Sequence, residues 1–240
     1  YNLNLIATAP SVEYQVELRS GTTIYIDSPS ALPSELDIQE VREPWMRIQV
    51  LSPETYYGTI MDLVTKRRGV FVEQEYPTPG RVSLVYDIPL AGMIIDFYDQ
   101  LKSRTRGYAS LDYHFQDYRP GDLVQLNILV NGQAIDALTV IVHRPEAYRK
   151  GQQLVSKLKE LIPRQLFVVP IQAAAGGRII ARASVRALRK DVIAKCYGGD
   201  VTRKRKLLTK QKAGKRRMKT IGSVDVPQDA FMAILNLAGE

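Results

Sequence analysis

Residues 43–69 read EPWMRIQVLSPETYYGTIMDLVTKRRG, and the pattern within them decides the fold. Trp45–Leu51, apolar but for Arg47 and Gln49, reads as a strand. It is closed by Ser52-Pro53, which supplies a helix N-cap and a proline at the first helical position. Tyr57, Ile60, Met61 and Val64 then fall at i, i+3, i+4 and i+7, which makes one face of a helix apolar. Lys66, Arg67 and Arg68 complement the negative end of that helix, and Gly69 stops it. The segment is a strand followed by a helix.

Toward the C-terminus the pattern repeats in mirror order. Val70–Gln74 and Val82–Ile88 flank the turn cluster Pro77-Thr78-Pro79-Gly80 and read as two strands. A second helix follows Pro89, with Ile94, Phe97, Tyr98 and Leu101 on one face and Gly107 past its end. Tyr108–Phe115 alternates, directing Ala109, Leu111, Tyr113 and Phe115 to one side. The order β-α-β-β-α-β is the split, ferredoxin-like unit.

Upstream, Tyr1–Ala7, Val12–Leu18 and Thr22–Ile26 read as short strands bounded by turn residues, and Ala31–Glu43, with Pro33 and Pro44 at hand, reads as a linker. Tyr1 already lies in an alternating stretch, so the chain reads as a fragment of a longer protein. Beyond Arg119-Pro120-Gly121, Leu123–Val130 and Gln133–Val142 are joined by Asn131-Gly132, a strong hairpin signal because both positions must tolerate positive φ. A helix is expected near Glu146–Ile162 and a strand over Leu166–Ala173, with a turn at Gly176-Gly177. Helices are expected over Val185–Cys196 and Val201–Met218, the second with Asp200 as N-cap, and a short closing helix over Pro227–Leu237. The expected class is α+β: a remnant of a preceding α/β domain with its linker over 1–42, the split unit over 43–119, and a basic α+β domain over 120–240.

Charge is distributed unevenly. Between Arg178 and Lys219 stand sixteen Lys and Arg against only Asp191 and Asp200, about +14, whereas the rest of the chain, with seventeen basic and twenty-three acidic residues, carries about −6. No acid occurs between Asp200 and Asp225, so the cations there lack the i,i+4 partners that an ordinary solvated helix carries. Repulsion of this kind is relieved by a polyanion, and phosphates are the fitting partner. The residues expected to hold RNA are Lys195, Arg203, Lys204, Arg205, Lys206, Lys210, Lys212, Lys215, Arg216, Arg217 and Lys219. A membrane-surface helix needs a broad apolar face, and Leu207, Leu208 and Met218 provide a narrow one.

Other chemistry finds little support. The chain has a single cysteine, Cys196, which excludes an internal disulfide and points to a reducing compartment, the cytosol by default. Cys196 with His114 or His143 forms no recognisable nucleophile motif, and no ligand pair has zinc spacing. Gly214-Lys215 is followed by Arg216 where a phosphate loop needs Ser or Thr, and Thr209 stands where its upstream glycine belongs. Tyr56, Tyr76, Tyr86, Tyr98, Tyr108 and Tyr118 lie in the split unit without an RNA-recognition aromatic pattern, so most are expected in its core or rim. No run approaches the ~18 apolar residues of a membrane span.

Several stretches together resemble one family. Glu43-Pro44-Trp45 through Lys66-Arg67-Arg68-Gly69, Ile88-Pro89-Leu90-Ala91, and the run from Leu101 to Ser110 look like the fifth domain of elongation factor G and its relatives. Leu161-Ile162-Pro163-Arg164-Gln165, the run from Ala194 to Leu208, Lys215–Lys219 and Val226–Phe231 look like the C-terminal domain peculiar to elongation factor 4 (LepA). Tyr1–Ile26 is then similar to the end of that family's third domain.

The resemblance implies a ribosome-dependent GTPase, proposed to promote back-translocation of tRNAs. Its GTP and Mg would be held by a GTPase domain that this chain does not include, leaving no cofactor here. It also implies large-subunit ribosomal RNA, tRNA and the factor's own GTPase and barrel domains as partners. A cytoplasmic location with peripheral inner-membrane association, in a bacterium or an organelle of bacterial descent, follows from the same likeness. The alternatives are a free-standing RNA-binding or ribosome-assembly protein, and an RNA-acting enzyme using Cys196 with a histidine.

Overall fold

The computed structural model describes residues 12–188, 192–193, 201–221, 224, 226–227 and 230. The chain divides into two compact units, one holding residues 12–125 with 141–144, the other holding 126–140 and the described residues from 145 onward.

The first unit contains β1 (Tyr14–Leu18), β2 (Thr23–Ile26), β3 (Ile38–Pro53), α1 (Tyr57–Thr65), β4 (Val70–Thr78), β5 (Arg81–Pro89), α2 (Phe97–Arg104) and β6 (Ser110–Pro120). Its sheet runs β2-β1-β3-β5-β4, and β6 also pairs with β3. Within it the strands β6-β3-β5-β4 are antiparallel throughout, with Ile48 opposite Tyr86 on one side and Tyr113 on the other. This is the ferredoxin-like order, so the α+β expectation and its split unit are met.

Pleating sends alternate residues to one face. Met46, Ile48 and Val50 of β3 and Val82, Leu84, Tyr86 and Ile88 of β5 pack there against Ile60, Leu63 and Val64 of α1 and Phe97 and Leu101 of α2. Each such fully buried side chain contributes about 1.5–3 kcal/mol. The buried stripe of α1 uses Leu63, whereas Met61, expected inside, is exposed. Tyr113 and Phe115 share a face with Leu111 as their alternation required, yet are 59% and 53% exposed, because β6 lies at the border of the sheet.

Three local readings are corrected. Ser52 and Pro53 remain in β3, and a 3-10 turn over Glu54–Tyr56 leads into α1, so Ser52 caps nothing. The supposed linker contributes strand from Ile38 onward: Val41 pairs with Val16 of β1, and a cluster of Tyr14, Val16, Ile26 and Val41 is buried there. Sequence reasoning began this strand only at Trp45 because Pro44 looks like a breaker, but a proline that lacks its donor is accommodated in the ladder opposite Tyr118. At the end of α1 it is Arg68, not Gly69, that adopts positive φ, at 65°. Gly69 is needed for space, since a Cβ there would stand 2.1 Å from a methyl of Val64.

The second unit holds most of β7 (Leu123–Val130) with β8 (Gln133–Ala134), α3 (Arg144–Leu161) beyond its first residue, β10 (Val169–Ala175), β11 (Arg178–Val185) and α4 (Val201–Ile221). Its strands follow the order β11-β10-β7-β8. Asn131 and Gly132, at φ 54° and 85°, form a two-residue turn with Val130 opposite Gln133. The strand expected to continue to Val142 is broken after Ala134 by a 3-10 turn over Asp136–Leu138, and Val140–His143 resumes it as β9. Leu154, Val155, Leu158 and Ile162 are buried, and Gly151 brings α3 close to the sheet.

The helix expected from Val185 is also corrected at its start: Val185 ends β11, and Arg186–Leu188 carry no regular structure. Sequence reasoning missed β11 because RIIARASV has a weak alternation, as suits a half-exposed strand that pairs, among the described residues, with β10 alone. Residues 194–200, with Lys195, Cys196 and Asp200, lie outside the described residues, as do Tyr1–Ala7 and nearly all of the expected closing helix.

Candidate nucleic-acid interface

α4 is 21 residues long, and none of its described side chains is buried. Its sequence explains the helix without explaining its place. Leu, Lys, Arg, Gln and Ala are good helix formers, but the helix contains ten cations and no acid. Leu207, Gln211 and Gly214 are half-buried and mark its inward side. Lys204 and Lys215 lie on that side too, and the Lys215 Nζ donates to the Leu188 carbonyl at 3.0 Å.

Arg203, Arg205, Lys206, Lys210 and Lys212 are exposed. Arg216, Arg217 and Lys219 follow in the last turns of the same helix, and Lys195 is outside the described residues. Among the described residues, Lys204, Arg205, Lys206, Lys210, Lys212 and Lys215 form no ion pair. The helix brings together most of the expected cations along its length.

Along the exposed side runs a shallow groove of about 480 Å³ lined by Val201, Thr202, Arg205, Lys206, Thr209, Lys210 and Ala213. Sequence reasoning passed over the small residues Thr202, Thr209 and Ala213. The signal that finds them is their seven- and four-residue spacing, which stacks them on one side of a helix.

The cations of the first unit behave differently. Asp87 accepts from Arg47 Nε at 2.9 Å and from Arg119 Nη2 at 2.6 Å, and Arg119 also pairs with Asp117 and lies 4.8 Å from the centre of the Trp45 ring. Burial alone would push the Asp87 carboxyl up, but the two guanidinium hydrogen bonds outweigh it and hold the group below the ordinary carboxylate range. Arg67 pairs with Asp96, and Arg68 with Glu43. These arginines are bound to acids and hold the unit together.

The tyrosines are divided. Tyr86 is buried, Tyr56 stacks on Tyr108, and Tyr76, Tyr98 and Tyr108 are exposed. His114 is exposed on β6, as its place on the polar side of the strand required. No group of three or more His, Cys, Asp or Glu that could hold a metal occurs among the described residues. No helix of the described residues is long and apolar enough to cross a membrane.

Comparison with known proteins bears on both units. Residues 40–129 match the family described as elongation factor G C-terminus, and residues 130–236 match GTP-binding protein LepA C-terminus. The elongation factor 4 of Thermosynechococcus vestitus is 58% identical over all 240 residues, which cover 40% of that protein. The elongation factor 4 proteins of Acaryochloris marina and Synechococcus elongatus are 56% and 54% identical over the same 240 residues, again 40% of each. The chain thus spans about two fifths of the length of the curated relatives it matches. With one family's domain followed directly by the other's and close relatives along its whole length, the chain belongs to the elongation factor 4 (LepA) family and corresponds to the C-terminal portion of this translation elongation factor.

Proposed function

We propose that this chain is the part of a ribosome-bound translation factor that grips RNA, and that α4 makes the grip. The supporting observation is a 21-residue helix with no buried described side chain, ten cations and no acid. Such a helix loses stability to self-repulsion until an array of phosphates neutralises it. Large-subunit ribosomal RNA and tRNA are the partners that fit an elongation factor, with Arg203, Lys204, Arg205, Lys206, Lys210, Lys212, Lys215, Arg216, Arg217, Lys219 and Lys195 as the contact set.

The three-part organisation over 1–42, 43–119 and 120–240 belongs to the same proposal, with the split unit carrying the basic domain. Hydrolysis of GTP with Mg, and any role in back-translocation, would belong to the whole factor in the cytoplasm, through its GTPase and barrel domains. Peripheral membrane association would be a separate property of that whole protein.

Changing Arg203, Lys204, Arg205 and Lys206 together to Gln tests the reading. Binding of tRNA and ribosomes should weaken, and the dependence of log K on log salt should flatten by roughly 0.7–0.9 per lost phosphate contact. A folded variant with unchanged affinity and unchanged salt slope would show that the helix is only a solvated face.

A further inference from the structure

The cations of α4 are not spread evenly around it. At about 100° per residue, Thr202, Thr209 and Ala213 fall within about 40° of one another and form a crest of small side chains. Arg205 and Lys212 lie about 60–80° to one side of that crest, and Lys206 and Lys210 about 40–80° to the other. All seven side chains are exposed, and the crest is the floor of the groove described above. Two cation rows therefore flank a low, hydroxyl-bearing ridge, on the side away from half-buried Leu207 and Gln211.

We infer that α4 is shaped to lie in a groove of paired RNA, its two cation rows reaching the phosphates of both strands while its crest approaches the groove floor. This rests on the RNA-binding reading of α4 and specifies the form of RNA. A single strand offers one row of phosphates and unstacked bases, and proteins that hold it supply aromatic side chains for stacking. α4 contains no aromatic residue. Paired RNA exposes two phosphate walls bordering a wide, shallow minor groove lined with 2′-hydroxyls, and is recognised by shape and by contacts to hydroxyls and phosphates. Thr202 and Thr209 can donate to and accept from such hydroxyls, and Ala213 leaves room for close approach.

The test compares an RNA hairpin of about 16 base pairs with a single-stranded oligouridine of equal phosphate number, titrated at equal salt with the 240-residue chain. The hairpin should bind at least about tenfold tighter. Filling the crest with T209L and A213L, which keep charge and favour helix, should lower hairpin affinity about tenfold or more, with oligouridine affinity and both salt slopes unchanged. Circular dichroism verifies that the variant is folded.

Oligouridine binding as tightly as the hairpin, or hairpin affinity indifferent to the filled crest, overturns the inference. So does tighter binding to phosphatidylglycerol vesicles than to the hairpin. The quadruple Gln variant separates the two levels. If it loses both RNAs while the hairpin shows no advantage, only the paired-RNA inference fails; if it loses neither, the RNA-binding reading of α4 fails as well.

Discussion

The carboxylate of Glu43, 1% exposed in β3, is held by the guanidinium of Arg68, which stands at the end of α1 with its backbone at φ 65°. Arg68 Nη1 donates to Glu43 Oε2 at 3.1 Å, and its Nη2 donates to Oε1, a two-pronged pair. The burial of Tyr14, followed by the nearby Glu43 charge, raises the phenol of Tyr14. One carboxylate thus ties β3 to the end of α1.

Removing the cation from this pair strands a buried charge, so Arg68→Ala should cost about 3–5 kcal/mol of stability. Arg68→Gly should cost about 1 kcal/mol less, because glycine adopts the left-handed backbone without strain whereas alanine does not. Urea unfolding of the three proteins measures both differences. Equal losses for Ala and Gly would mean that the backbone at residue 68 stores no strain.

Asp87 gives a pH dependence of known sign. Its folded-state carboxyl is held below its ordinary value by Arg47 and Arg119 against the opposing effect of burial. The stability it contributes is therefore present above the unfolded pKa of about 4 and is lost as pH falls through the lower folded value. Asp87→Asn should lose about 2–4 kcal/mol at neutral pH. The gap between the two proteins should close in acid, as read from unfolding free energies at stepped pH. A gap independent of pH would assign the loss to packing instead.

Gly151 sits within α3, where an added Cβ would meet the Ala173 Cβ at 3.1 Å and the Ile180 Cδ1 at 3.3 Å. Gly151→Ala should be nearly neutral, the gain of about 1 kcal/mol in helix propensity offsetting the tight contact. Gly151→Val adds two more carbons to a filled site and should cost about 2 kcal/mol or more. Thermal unfolding followed by circular dichroism distinguishes the pair. A valine variant as stable as wild type would show that α3 can shift off the sheet.

The ten cations of α4, with no acid in the helix, also predict a salt response. Raising salt from about 0.02 to 0.5 M shortens the screening length several-fold and should increase the helical signal at 222 nm. In the quadruple Gln variant the increase should be smaller. A signal flat with salt in the unmodified chain would mean that repulsion along α4 is unimportant.

Much of this protein is legible in its sequence, wherever a structure depends on residues close together along the chain. Ile60 and Val64 fall on one helix face by periodicity alone, Asn131-Gly132 makes the tight turn because its backbone must reach positive φ, and the cation-rich, acid-free character of α4 follows from composition. Other features were decided only by partners distant in sequence. Residues 38–42 become strand because β1 pairs with them, and β11 forms because β10 offers its edge. Arg68 is a structural residue because Glu43 lies buried beside it, whereas Arg205 forms no ion pair among the described residues. Two arginines with the same local chemistry thus differ in role. The sequence determines that each carries a charge, but the dielectric and counter-charge around it depend on the folded neighbours, and these separate a cation that holds the fold from one left to meet a partner.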